Sequence, residues 1–482
     1  MPSRRWLGLA ACAAAACGSV APPAPRPPNL VVLLVDDLGW RDLACCGQDK
    51  VATPSIDRLA AEGMRLSHAA AASPVGPASR AALLTGRHPA RLGLAEHGPD
   101  VRTLDGPFLP PLERDAMPLA EVTLAELLRA RGYATWHVGA WQLGDAGFGP
   151  ADQGFEVLWT GGGDRPASHF VPRAAAAGTA GAGTDGGGAA DGEFLADVAA
   201  RTAAERIRAA AGEQRPFFLH LAFHAMQPPI EARPADVERH AAARAQRIAA
   251  APAWQRTALH EKRPLPVFAA MLEHLDAAVG TVLRAIDEAG IAGETLVVLT
   301  SDNGGATAHS DNAPLRGGRR SLWEGGLRVP LLVRWPGHVP AGVVCDVPTV
   351  TQDVHRALRA AAGVPIDAEV AADAFDLLPV WLGAPVRERD PICWHFPQAE
   401  SATVGPRGAI RDGRWKLIED LGTGAVVLFD LASDPGETTD LAAREPDRAR
   451  ALQQVLAAWR RRVGAAMPTP NPAWAGPADG TR

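Results

Sequence analysis

No basic stripe and no block of like charge interrupts the 482 residues of this chain, whose formal net charge is −6. The dense phosphate neutralisation that nucleic-acid binding demands is thereby excluded. Lysine is almost missing: Lys50, Lys262 and Lys416 stand alone, and arginine carries the rest of the positive charge. No Cys-x-x-Cys pair and no Cys/His cluster has the spacing of a zinc site. Past the N-terminus no run reads as long and apolar enough to cross a bilayer, and no segment repeats. What is there is a globular composition, long enough for one large domain and a smaller one.

Met1–Val20 reads as an export signal, with Arg4 and Arg5, an apolar run from Trp6 to Ala16, and small residues around Cys12 and Cys17. Ala14–Ser19 resembles a bacterial lipobox whose Cys17 is acylated after cleavage, and Leu9–Cys12 is a rival lipobox. The arginine pair loosely resembles a twin-arginine signal, and an ordinary cleaved signal is the plain alternative. The expected location is the bacterial periplasm or cell envelope, with membrane contact only through such an anchor. Ala21–Pro28 is then a stiff Pro-rich tether. Adjacent Cys45 and Cys46 are poorly placed to bridge each other, and a bond to a distant cysteine, Cys345 or Cys393, stays open.

From Asn29 to about residue 340, apolar strands alternate with amphipathic helices. That pattern predicts an α/β fold, a large mixed and mostly parallel sheet flanked by helices. Leu30–Val35 is continuously apolar and rich in valine, as a central strand is; Phe217–Phe223, Thr295–Thr300 and Pro330–Val333 are further buried strands. Thr53-Pro54 opens a helix, with the threonine as cap, that Gly63 ends; Thr123–Glu126 fits a capping box for another that Gly132 closes. Residues 173–192, rich in Gly and Ala, read as a flexible surface insertion. The texture changes at Ala341, and 341–482 is expected to be a small C-terminal α+β domain. In it Ala409–Ile418 and Val426–Asp430 look like antiparallel strands, the first turning at Asp412-Gly413, and a helix over Pro446–Val463 presents Leu452, Val455, Leu456, Trp459 and Val463 on one packing face.

Asp36 and Asp37 directly follow one predicted strand, and Ser301-Asp302-Asn303-Gly304 follow another. Ligands of open parallel sheets bind beyond the carboxyl ends of strands, so the two clusters can converge. Three carboxylates and an amide oxygen make a hard-oxygen site for Ca²⁺ or Mg²⁺; either pair alone is ordinary turn chemistry. Ser79–Arg87 looks like a helix start whose amides, with Arg80, suit an anion.

With these segments, Pro28–Gly39, Thr53–Gly63, Gly132–Gly144, Pro314–Gly337, Ile410–Ile418 and Leu428–Leu441 resemble the sulfatase family in order and spacing. The resemblance implies the alkaline-phosphatase-like fold and Asp36, Asp37, Asp302 and Asn303 as calcium ligands, with Mg²⁺ the alternative. It also implies a nucleophile four residues before Arg80, a Cys or Ser converted to formylglycine. Gly76 stands there, with no side chain to oxidise, and Ala78 replaces the motif proline. Ala140 and Gln142 occupy the places of a sulfate-contacting lysine and a proton-handling histidine, Gln227 that of a leaving-group histidine, and Arg319 that of a second lysine. The shortage of lysine accounts for Arg319, which keeps the charge in another geometry; it does not account for the other four. Ser79 is an ordinary motif residue and Ser73 is out of register. Among nearby histidines, His137 falls in a strand and reads as core, His224 lies by a motif block, and His309, near Asp302 in sequence, is the best stand-in. Gln142 and Gln227 can still donate hydrogen bonds, and Trp141 and Trp323 beside these blocks are candidate pocket walls.

Removing one preorganised charge-stabilising donor costs on the order of 100- to 1000-fold in rate, and removing the nucleophile eliminates the covalent route altogether. The expectation is a sulfatase-family protein, resembling a sulfuric ester hydrolase, that keeps a divalent-metal site, carries no formylglycine and does not turn over. Its cleft would bind a sulfated or anionic small molecule or glycan. The rivals are an active sulfate or phosphate ester hydrolase using metal-bound water and a structural protein without metal.

Overall fold

The structure, a computed structural model, describes residues 26–94, 106–112, 114–161, 163, 166–171, 189–213, 215–255, 264–399 and 404–474. The export signal, the lipobox cysteines, most of the Pro-rich tether and most of the Gly/Ala-rich stretch lie outside these residues.

An eight-stranded sheet runs in the order Val343–Cys345, Met64–Leu66, Leu331–Arg334, Thr295–Ser301, Asn29–Val35, Phe217–Phe223, Ala134–Gly139 and Glu156–Trp159. The last five strands are parallel to one another, and Leu331–Arg334 runs antiparallel to its neighbours. The central strand Asn29–Val35 is buried throughout because alternate side chains enter different cores. Val31, Leu33 and Val35 face helices Pro54–Ala61, Leu195–Ala210 and Pro266–Glu288, whereas Leu30, Val32 and Leu34 share a core with Leu83, Leu128 and Leu358 from helices Gly76–Thr85, Leu124–Ala130 and Thr351–Ala361.

Beside it lies a four-stranded antiparallel sheet, Ile392–Phe396, Arg407–Asp412, Trp415–Asp420 and Val426–Asp430. One face takes Leu452, Leu456, Trp459 and Val463 of helix Pro446–Val463. The other lays Trp394, Phe396 and Ile418 on Val75, Ala78 and Ala82 of the Gly76 helix, and the Trp394 indole donates to Ala71 O at 2.8 Å. Helix Gly76–Thr85 is therefore packed on both sides, and all ten of its residues are buried.

Several expectations need correction. Strand Val343–Cys345 pairs with Met64–Leu66 in the large sheet and helix Thr351–Ala361 packs under it, so the change of texture at Ala341 is not a structural border. The small sheet has a strand that the sequence reading passed over, Ile392–Phe396. Val455 is 45% exposed, and Ala449 instead joins Leu452, Leu456, Trp459 and Val463 on the sheet-facing stripe of the helix. Helix Pro266–Glu288 is long and apolar enough to cross a membrane by length and composition, but its apolar side chains are core residues packed on the sheet. The capping box at Thr123 and Glu126 forms as expected. Thr53 does not cap with its side chain; its hydroxyl accepts from Ala44 N and donates to Asp57. Cys45, Cys46, Cys345 and Cys393 are free thiols.

Candidate functional site: a buried acidic cluster

The parallel pairing of Val35 with Ser301 brings two strand ends level. Ser301 then fastens them, its hydroxyl donating to Val35 O and accepting from Leu38 N, both at 3.0 Å. The chain leaves one end through Asp36 and Asp37 and the other through Asp302 and Asn303. Asp37 takes a positive φ of 60°, in the left-handed region that Asp tolerates better than most residues. Carboxylate oxygens of Asp36, Asp37 and Asp302 all lie within 4.8 Å of one another, and this acidic triad could hold a metal ion.

Two arginines and two amides surround it. Arg80 is fully buried and donates from Nε to Asp302 at 2.8 Å, from one terminal nitrogen to Asp36 at 3.1 Å and from the other to Ala140 O at 3.1 Å. Arg319 meets Asp37 at 2.9 Å. The Gln142 amide donates to Asp36 at 2.5 Å, and Asn303 Nδ2 to Asp37 at 2.7 Å. Burial is the chief influence on the acids. It pushes Asp36 and Asp302 up to about 6 against the opposing charge of Arg80, and raises Asp37 against Arg319.

Three carboxylates against two guanidinium groups leave one negative charge, with the acids and Arg80 buried. Asn303 Oδ1 is in addition a buried acceptor without a hydrogen-bond partner among the described residues. A hard cation satisfies both conditions at once, so the donor set of Asp36, Asp37, Asp302 and Asn303 fits a divalent ion.

Gly76 opens its helix three residues earlier than the expected start at Ser79. A Cβ built on it would lie 2.7 Å from Asp302 Oδ2 and 3.0 Å from Gln142 Oε1, so these two side chains close the space a nucleophile would use. Nor is Arg80 held ready for an anion, since the two carboxylates engage it. The Ser79 hydroxyl donates to Ser73 O and accepts from Ser73 N, which ties it to backbone.

Gln227 is buried at the end of the neighbouring strand, where its carbonyl accepts from His169 while its side-chain amide nitrogen lacks a partner among the described residues. His137 is core, as expected. It pairs Nδ1 to Nδ1 with His220 at 3.0 Å across two in-register strands, and burial holds His137 down at about 3. His220 was overlooked, although a histidine interrupting each of two apolar strands was a legible signal. His224 is buried with its ring on Gly163 O, and the His309 ring stacks on Phe268. Trp141 is a core residue that donates to Phe148 O, and Trp323 lies under the Arg316 guanidinium and meets Phe429 edge-on.

Residues 28–383 match the Sulfatase family, and residues 318–461 match N-sulphoglucosamine sulphohydrolase, C-terminal. Steryl-sulfatase of Mus musculus is 32% identical, the alignment covering 98% of this chain and 89% of that protein. Arylsulfatase A of Homo sapiens is also 32% identical, over 89% of this chain and 87% of its own. Among solved structures, Ps i-CgsB in complex with k-i-k-neocarrahexaose superposes with a TM-score of 0.73 at 25% identity, covering 94% of this chain and 96% of that one. With the family model matching from the central strand to residue 383 and relatives at 32% identity aligned over most of their own length, the chain belongs to the sulfatase family.

Proposed function

We propose that this chain is a non-hydrolysing member of its family, which binds a divalent cation, Ca²⁺ before Mg²⁺, and recognises a sulfated or otherwise anionic glycan without cleaving it. The observation that carries the reading is Gly76. The helix start that would present a nucleophile offers no side chain, and Asp302 and Gln142 stand within 2.7 and 3.0 Å of where its Cβ would be. Ala140, Gln142 and Gln227 supply neither the positive charge nor the proton that leaving-group chemistry needs.

Asp36, Asp37, Asp302 and Asn303 would hold the ion through oxygen atoms. When bound, it supplies positive charge to a buried and otherwise anionic cluster. Arg80 orders two of the carboxylates and Arg319 orders the third. The Asp36, Asp37, Asp302 and Arg80 side chains are at most 4% exposed, whereas Arg319 is 28% exposed. Arg319 is thus the basic member of this cluster that reaches solvent, and an anionic group arriving from outside would meet it. The oligosaccharide in the Ps i-CgsB complex supports a glycan as the ligand class. We place the protein outside the cytoplasm, in the bacterial periplasm or cell envelope, anchored through Cys17.

The test is turnover of a panel of sulfate and phosphate esters by the purified protein with Ca²⁺, Mg²⁺ or Mn²⁺, beside an Asp36→Asn/Asp302→Ala double variant. Equal rates support the proposal. Turnover clearly above the double variant would replace it with hydrolysis by metal-bound water.

A further inference from the structure

Lysine is nearly eliminated from this chain, yet Lys416 persists and its side chain is 0% exposed. Its ammonium lies 2.9 Å from Glu324 and 2.9 Å from Glu437. Glu324 also receives Arg328 Nε at 2.9 Å, and Glu437 accepts from the backbone N–H of Glu324 at 2.6 Å. Lys416 belongs to the small sheet and Glu437 to the turn after it, whereas Glu324 opens a one-turn helix, Glu324–Leu327, in the long loop that joins two strands of the large sheet. An ammonium donates in three directions from one point and so can serve two carboxylates from different segments. A guanidinium can also bridge two carboxylates, as Arg80 does, but its donors are confined to one plane and its charge centre stands farther from the backbone.

The loop gripped in this way leads to the acidic cluster by three routes. Gly326 O, two residues from Glu324, accepts from Gly304 N at 3.0 Å, beside Asn303. Arg319 N donates to Gly305 O at 3.2 Å while its side chain holds Asp37. Arg320 N donates to Pro74 O at 2.9 Å, two residues before Gly76. Packing leaves little slack along these routes, since a Cβ on Gly304 would come within 2.1 Å of Gly325 O.

We propose that Lys416 and Glu437 are positioning residues through which the small C-terminal sheet holds Asn303 and Arg319 in register with Asp36, Asp37 and Asp302. This rests on the metal-binding reading above, and the experiment separates the two. Full-length wild type, Lys416→Met, Glu437→Gln and a control, Leu456→Ala in the core on the far face of the same sheet, are compared by Ca²⁺ titration calorimetry and by amide hydrogen exchange without metal. Glu437→Gln keeps the size of the side chain and its backbone contact, so it carries the test if Lys416→Met fails to fold.

Disturbing a group that orients metal ligands costs about 10- to 100-fold in affinity. About 10-fold weaker Ca²⁺ binding is expected for the two clamp variants, with roughly 10-fold faster exchange at Gly304, Arg319 and Gly325. Leu456→Ala should melt earlier and leave both quantities as in wild type. Wild-type Ca²⁺ affinity in both clamp variants would overturn the proposal, as would an equal loss in Leu456→Ala. If wild type itself binds no Ca²⁺, the metal reading falls, and exchange at these three amides decides whether the clamp positions the loop.

Discussion

Replacing Gly76 with alanine sets two opposed effects against each other. In a helix, alanine is better than glycine by up to about 1 kcal/mol, and at most positions the exchange stabilises. Here the added methyl would lie 2.7 Å from Asp302 Oδ2, on a carboxylate that already accepts Arg80 Nε at 2.8 Å and Asp37 N at 3.3 Å. Helix and sheet are fixed by packing on both faces, so the carboxylate must swing away. Strain of this kind costs about 1–3 kcal/mol, and a weakened hydrogen bond to a charged group about 1.5–3 kcal/mol. The net expectation for Gly76→Ala is a loss of about 2 kcal/mol. For a chain of this length that moves the melting temperature by only about 2 °C, so the midpoint in guanidinium chloride is the better readout. Ca²⁺ affinity should fall as well, because Asp302 is the residue displaced. A Gly76→Ala protein as stable as wild type, or more so, would show that the space beside Gly76 is open, and the argument for a closed nucleophile site would fail.

Ca²⁺ at 100 times its dissociation constant should stabilise the folded protein by about 2.7 kcal/mol, and an Asp37→Asn variant should lose that gain, as read by thermal melts with and without chelator. Arg80→Met leaves Asp36 and Asp302 buried without their cation and should cost about 3–5 kcal/mol, a loss that added Ca²⁺ partly restores and chemical denaturation measures. Burial holds His88, His224, His355 and His395 down at about 4 and His137 at about 3, and lowers His220 well below its usual range. These rings are protonated in the unfolded chain first, so their contribution is complete above about pH 6.5 and is lost as pH falls towards 4, by up to about 1.4 kcal/mol per pH unit for each ring. Asp36, Asp42 and Asp302, raised to about 6, oppose this below pH 6 in the metal-free protein, but the histidines outnumber them. Unfolding midpoints in urea should therefore fall steadily from pH 7 to pH 5.

The buried strands were the legible part of the fold. Phe217–Phe223 forms over the residues its apolar run marks, and the central strand gains only Asn29. A short continuous run rich in β-branched or aromatic residues marks a strand buried on both faces by its length and composition, without need of alternation. Ile392–Phe396 was missed because Cys393 and His395 interrupt its apolar residues, although all five are buried. The border at Ala341 misled because sheet membership depends on pairing between distant residues, here Val343 with Met64, which local texture does not encode. At the site, the convergence of Asp36 and Asp37 with Asp302 was readable from their places after two strands. What could not be read was that Arg80 turns inward to the acids, that Gln142 reaches Asp36, and that His309 stacks on Phe268, because each is decided by how segments distant in sequence are brought together. The role of Lys416 was hidden for the same reason, its partners lying 92 residues before it and 21 after it in the chain.

The helix that begins at Gly76 is a party wall. One side is lined by the large core and the other by Trp394, Phe396 and Ile418, so each neighbour fixes the pitch at which the wall stands for the other. A mutation of Trp394, Phe396 or Ile418, on the face of the small sheet that meets the wall, would then reach the acidic cluster with every residue there unchanged. Grafting that sheet from a relative would test the fit of the wall before it tested any chemistry, and a chain cut after residue 383 would leave one face of the wall open to water.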